Sequence, residues 1–227
     1  MTLLVLLPLL LLGLLMAIAA LIMWVESRLD APRVEAWERF ANANGLKVDR
    51  DVHSGGMPKV VGNYRGRELE LCYEDTNIHW TMITLSLETP LESWLGLGFR
   101  DVLNRLGKDL FGAEELEFGH KILDQDYWLK SSNHALPGKV LGKKTRAGLL
   151  RFVRDQERWE FHWKEDKAQA IRTDHMKPLP DSPQRLKLVA DILSEVAQGL
   201  EEAEALKVRT EETIKYQQPQ PSSTERT

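Results

Sequence analysis

From Thr2 to Trp24 the chain carries no charged side chain, and most of those positions are Leu, Ile, Val, Met or Ala. As a helix, ~23 residues reach about 34 Å, against a bilayer hydrocarbon core of ~30 Å. The run therefore predicts a transmembrane anchor over 1–25, with the rest of the protein held beside the membrane. Ala17-Ile18-Ala19 has the small-x-small form of a cleavage site, so a cleaved leader is the competing reading. Against it, no basic residue precedes the run, and the run exceeds an ordinary leader core. Trp24 falls where an indole favours the headgroup layer, and Arg28, Arg33 and Arg39 follow it. That makes Trp24, Arg28 and Arg33 the expected membrane-interface residues. By the positive-inside rule it also places the C-terminal domain in the cytoplasm of a single-pass cell-membrane protein.

The remainder is polar enough to fold around one core. Overall 43% of residues are hydrophobic and 28% charged, with net charge −4. Acidic and basic residues are interspersed, so no nucleic-acid footprint stands out. Cys72 is the lone cysteine, which excludes an internal disulfide and a cysteine zinc cluster. The expected organisation is an anchor over 1–25, an α+β domain over 26–207 and a disordered Gln/Pro/Ser-rich tail over 208–227.

Asp30-Ala31-Pro32 reads as a helix start, with Val34, Trp37, Phe40 and Ala41 on one face and Gly45 as the stop. Residues 47–57 have loop composition. Lys59–Tyr64, Glu68–Tyr73 and Ile78–Glu88 read as an antiparallel meander, ended by Thr89-Pro90. Leu91–Phe99 alternates like a fourth strand, weakened by Gly96 and Gly98. A helix is expected over 100–112, a short connector or strand over Glu114–Phe118, and a short strand over Tyr127–Lys130. Pro137-Gly138 breaks the chain before a basic helix carrying Lys143, Lys144, Arg146, Arg151 and Arg154, within a basic run from Lys139 to Arg154. Arg158–Lys164 and Ala168–Met176 suit a hairpin across Glu165-Asp166-Lys167. Ser182-Pro183 caps an amphipathic helix with Leu186, Val189, Leu193, Val196 and Leu200 spaced 3-4-3-4, fraying beyond about 207. The fold class is thus α+β: a transmembrane helix, then β-meanders packed with amphipathic helices, arranged as two loosely similar halves.

Chemistry is sparse. His120, Asp124 and Asp126 form H-x-x-x-D-x-D, a divalent-metal set if the three converge, and otherwise a polar turn. Cys72 sits mid-strand in no nucleophile signature. The glycine turns at 54–56 and 62–66 lack the phosphate-loop pattern. Trp37, Trp80, Trp159 and Trp163 fall on apolar faces, read as core or as a ligand groove, and the basic helix suits anionic lipid or plain solvent.

Gly62-Asn63-Tyr64-Arg65-Gly66-Arg67, then Gly119, Asp124, Tyr127 and Lys130-Ser131, resemble uncharacterised bacterial membrane-anchored α+β proteins with G-x-Y-x-G-R followed by G-D-x-x-F-D-x-x-F. Here His120 replaces Asp, and Leu123 and Tyr127 replace Phe. The resemblance implies no activity. The expectation is a non-enzymatic, membrane-tethered scaffold or accessory subunit with a protein partner, no cofactor and no catalytic residue. The alternatives are a lipid or small-ligand sensor using the Trp-rich face and basic helix, and a metal-dependent hydrolase.

Overall fold

The computed structural model describes residues 2–54, 57–75, 79–100, 115–173 and 181–217; along the first helix, side chains are described from Leu12 to Leu21 and from Ala31 onward. Among the described residues eleven elements follow one another. They are α1 (Thr2–Asn44), β1 (Lys47–Ser54), β2 (Met57–Tyr64), β3 (Arg67–Asp75), β4 (His79–Phe99), α2 (Lys121–Asp126), β5 (Tyr127–Ser131), α3 (Leu136–Val140), α4 (Lys143–Asp155), β6 (Trp159–Thr173) and α5 (Pro183–Gln217). The expected helix over 101–112 lies outside the described residues. Of the tail expected over 208–227, residues 208–217 instead continue α5 without a break, and the remainder lies outside the described residues.

Among the described residues no helix is long and apolar enough to cross a membrane. This corrects the transmembrane helix expected at the N-terminus. The exposed apolar stretch that is described, Leu12–Leu21, covers about 15 Å of helix, half a hydrocarbon core. Nor is that stretch a separate element. Asp30-Ala31-Pro32 does not start a second helix, because α1 runs unbroken to Asn44. Proline costs a helix one backbone hydrogen bond without having to end it when packing downstream holds the rod. That packing comes from Trp37, Phe40 and Ala41, all fully buried. The stop is as read: Gly45 takes φ 68°, and the Leu46 amide donates back to the Ala41 carbonyl at 2.9 Å, a glycine-terminated helix end.

The six strands form a single antiparallel sheet in the order β1-β2-β3-β4-β5, with β6 on the opposite edge of β4. The two expected halves are therefore one sheet over one core. Residues 47–54, expected as loop for their Asp and His content, pair with β2 as an edge strand, where charge on the open side is favoured. Thr89-Pro90 does not end the third strand of the meander. β4 is 21 residues long in all and runs past Pro90 to Phe99, and its pairing with β6 shifts register between Ser86 and Leu91 and again between Leu91 and Leu95. A bulged position is where a sheet tolerates Pro.

In place of the hairpin expected over 158–176, the described residues Trp159–Thr173 form one strand. Trp159, Phe161 and Trp163 point into the core, as do Ala168 and Ala170, so the inward side changes parity across the exposed Lys164–Lys167. Glu165 takes φ 55° there. These irregularities bend the β4–β6 ribbon sharply. Trp159 and Arg172 would stand about 43 Å apart on a straight strand, yet the Arg172 guanidinium carbon lies 5.0 Å from the centroid of the Trp159 ring.

Gly96 and Gly98 serve that ribbon. A Cβ at Gly98 would meet Glu160 Cγ at 2.9 Å and the Trp128 ring at 3.0 Å, so the Trp128 indole lies flat on β4 only because the side chain is missing. On the other face, α5 presents Leu186, Val189, Leu193, Val196 and Leu200, all fully buried. Each buried side chain of this kind contributes roughly 2 kcal/mol. Ser182 Oγ accepts the Arg185 amide at 3.2 Å, which is the expected cap.

Candidate functional site: the base of an apolar arm

The N-terminal part of α1 is an arm. Leu12, Leu14, Leu15, Met16, Ile18 and Leu21 are 45–68% exposed. An apolar run of this density on a helix marks a surface that something covers. From Arg33 onward the same helix is locked into the domain, and the lock is polar as well as apolar.

Asp181, immediately before α5, is its centre. Its Oδ2 accepts the Trp37 indole N–H at 2.7 Å, its Oδ1 pairs with Arg172 of β6 at 2.7 Å, and Arg33 Nε stands 3.6 Å from Oδ2. All three charged side chains are at most 4% exposed. Both guanidinium groups also lie over rings, Arg33 over Tyr73 at 5.1 Å and Arg172 over Trp159 at 5.0 Å, contacts that favour Arg over Lys. One turn into α5, Arg185 pairs with the fully buried Glu157 and with Asp155 at 3.5 Å. Burial pushes the Glu157 carboxyl up, while Arg185 and Arg172 pull it back. Arg33 is thus a buried brace, where the sequence suggested a membrane-interface cation. The side chains of Trp24 and Arg28 lie outside the described residues.

A second polar seam ties α5 to the sheet. The Tyr64 hydroxyl donates to Asp191 at 2.5 Å, Arg65 pairs with Asp191 at 2.8 Å, and Arg67 with Glu201 at 2.5 Å. Glu201 also accepts the amides of Glu88 at 2.7 Å and Thr89 at 3.3 Å, and Glu204 those of Glu92 at 2.9 Å and Ser93 at 2.8 Å. These are amides from the bulged part of β4, where carboxylates of α5 stand in for a strand partner. The family-like segment Gly62–Arg67 is therefore a turn with a grip. Arg65 and Gly66 take φ 55° and 88°, Asn63 Oδ1 accepts the Gly66 amide at 2.9 Å, and the flanking Tyr64 and Arg67 hold α5.

The other candidates are structural where they are described. Asp124 accepts the amides of Phe118 at 2.6 Å and His120 at 2.9 Å, so its carboxylate closes the turn leading into α2. Among the described residues no group of three His, Cys, Asp or Glu is placed to hold a metal ion. Leu123 and Tyr127, which stand for Phe in the second family-like pattern, are fully buried. Cys72 is half-buried, and burial together with Glu70 and Glu74 pushes its thiol up to about 11, away from nucleophilic use. Trp37, Trp159 and Trp163 are fully buried and so present no open groove. A cleft of about 590 Å³ between α3 and α5, lined among others by Ser93, Asn133, Leu136, Lys139 and Leu206, gathers no convergent set of reactive groups.

Sequence reasoning missed the Asp181 lock because Asp181 reads as linker beside Pro180 and Pro183. The only available signal was its place just before the helix cap. Glu201 and Glu204 were visible only as an acidic run at a helix end.

No family model and no curated protein matches the chain. Among solved structures the chain is similar to the crystal structure of the mycobacterial trehalose monomycolate transport factor A, TtfA, with TM-score 0.49 at 11% identity, over 75% of this chain and 95% of that one.

Proposed function

We propose that this protein is a non-enzymatic interaction module, a scaffold or accessory subunit, that works at a membrane surface through the apolar arm of α1. The observation that carries the reading is the arm itself: six large apolar side chains, 45–68% exposed, on a helix whose other end is braced inside the domain. Leaving such a surface in water costs roughly 25 cal/mol per Å², which a lipid surface removes. A role in holding partners is supported by where the ionisable groups are used. Asp181, Glu157, Glu201 and Glu204 each tie α5 or the residues before it to another part of the fold, and Asp124 closes a turn.

The test is fractionation of cells expressing the full chain, beside a variant carrying Leu14→Asp, Leu15→Asp and Ile18→Asp. The wild type is expected in the membrane pellet and the variant in the high-speed supernatant. A wild type that stays in the supernatant sinks the membrane assignment. Detergent-extracted protein that runs strictly monomeric and brings no recurring partner sinks the scaffold assignment.

A further inference from the structure

The geometry points to a lipid-headgroup site at the foot of the arm. We propose that Arg151, Arg154, Arg158 and Arg185 form a cationic collar that binds anionic phospholipids, an inference that rests on the arm being the membrane contact.

The placement follows from a chain of contacts. Arg33 is the first buried residue described as α1 enters the domain, and it pairs with Asp181 at 3.6 Å. Asp181 precedes α5, whose first turn carries Arg185. Arg185 in turn reaches Asp155 at 3.5 Å, and Glu157. Asp155 is the last residue of α4, with Arg154 at 3.2 Å and Arg151 at 3.9 Å from its carboxylate. The end of α4 and the start of α5 therefore sit where the arm leaves the domain.

The cations there are accessible. Arg151 and Arg154 have side chains 52% and 74% exposed, Arg185 is 29% exposed, and Arg158 is exposed. Three guanidinium groups, those of Arg151, Arg154 and Arg185, share two carboxylates, Asp155 and the buried Glu157, so cations outnumber acids in this cluster. The reach is adequate. Val25, the last residue before the charged part of α1, is eight residues from Arg33, about 12 Å along the helix. A headgroup layer of ~6 Å and a Debye length of ~8 Å bridge that interval. The apolar arm brings the collar to the surface, and arginine forks match phosphate oxygens in pairs. With roughly one kcal/mol of attraction per basic residue near an anionic leaflet, each arginine is expected to tighten binding about fivefold.

The experiment is arginine footprinting of the full chain. Protein is mixed with vesicles of phosphatidylcholine alone or with about 30% phosphatidylserine, floated, and labelled with phenylglyoxal for peptide mass spectrometry. On anionic vesicles, labelling of Arg151 and Arg154 is expected to fall at least about threefold relative to neutral ones, and to recover in about 0.5 M salt. Arg209, some 36 Å along α5 from Arg185, serves as the unprotected reference. Replacing Arg151, Arg154 and Arg158 by Gln is expected to abolish the salt-sensitive preference and leave flotation on neutral vesicles intact. Equal labelling on both vesicle types, or a preference that survives the triple replacement, overturns the collar. Failure to float on neutral vesicles overturns the arm instead.

Discussion

Replacing Asp181 by Ala tests the lock at the base of the arm most directly. The substitution removes the acceptor of the Trp37 indole at 2.7 Å and the counter-charge of Arg172 at 2.7 Å and of Arg33 at 3.6 Å. Both arginines are buried, at 2% and 3% exposure, so water does not replace the lost carboxylate. A buried pair broken from one side costs about 3–5 kcal/mol, mostly the penalty of the stranded charge. The lost indole bond lies within that figure, since the three contacts act as one unit. With a urea slope of about 2 kcal/mol/M, the midpoint is expected to fall by about 2 M at unchanged slope. Glu35→Ala is the control. Its pair with Arg39 is exposed on both sides, at 61% and 66%, and its loss is expected to cost under about 1 kcal/mol. Asp181→Asn keeps an acceptor for Trp37 and removes the charge, so it is expected to fall between the two. The assay is urea unfolding followed by tryptophan fluorescence. A midpoint shift for Asp181→Ala no larger than that of Glu35→Ala would refute the reasoning, because it would mean the arginines are solvated.

Gly98→Ala places a methyl 2.9 Å from Glu160 Cγ and 3.0 Å from the Trp128 ring. It is expected to cost about 1–3 kcal/mol in the same assay by lifting that indole, and a neutral result would show that Trp128 does not lie on β4. Glu201 gives a pH dependence. Burial alone pushes its carboxyl up, but Arg67 and the amides of Glu88 and Thr89 overcome this and hold it below the usual carboxylate value. A group whose folded value is depressed contributes stability that is present above its unfolded pKa and lost as pH falls through the folded one. Glu201→Gln is therefore expected to flatten the acid limb of midpoint against pH below about 4.5, and an unchanged limb would contradict the pairing. Cys72, with its thiol pushed up to about 11, is expected to alkylate slowly at pH 8 in folded protein and at the ordinary thiol rate in urea. Rapid labelling of the folded form would contradict its burial.

What the sequence made legible was whatever depends on neighbours along the chain. The 3-4-3-4 spacing in α5, its Ser182 cap, the Gly45 stop, the Arg65-Gly66 turn and the alternation of Trp159, Phe161 and Trp163 are local patterns, and each appears in the structure as read. Breakers misled where tertiary contacts outweigh them. Pro32 inside α1, Pro90 inside β4 and the polar Glu165-Asp166-Lys167 inside β6 all read as ends. Each lies within an element. In α1 the downstream packing of Trp37 and Phe40 holds the rod. In the ribbon a bulge absorbs each break, and the bulge bends the sheet. The candidate site was less legible still, because Arg33, Glu157, Arg172, Asp181 and Arg185 are scattered over 150 positions and meet only on folding.

The same bend accounts for how the buried charges are distributed. A ribbon folded until Arg172 covers Trp159 exposes backbone at its bulges and brings its two ends together beneath one helix. The bulges need acceptors, which Glu201 and Glu204 supply from α5. The joined ends need charge balance, which Asp181 supplies between Arg172 and Arg33. Since α5 answers the first need and the loop before it answers the second, α5 is fixed at both ends. Through Asp181 it fixes α1 as well. A helix fixed in this way has its direction set where it leaves the domain, and the apolar arm is the continuation of that helix. Coupling between arm and domain is thus a property of the fold. On the proposed membrane role of the arm, Asp181→Ala is therefore expected to move the full chain from the membrane pellet toward the supernatant in the fractionation test, even though no residue of the arm has changed.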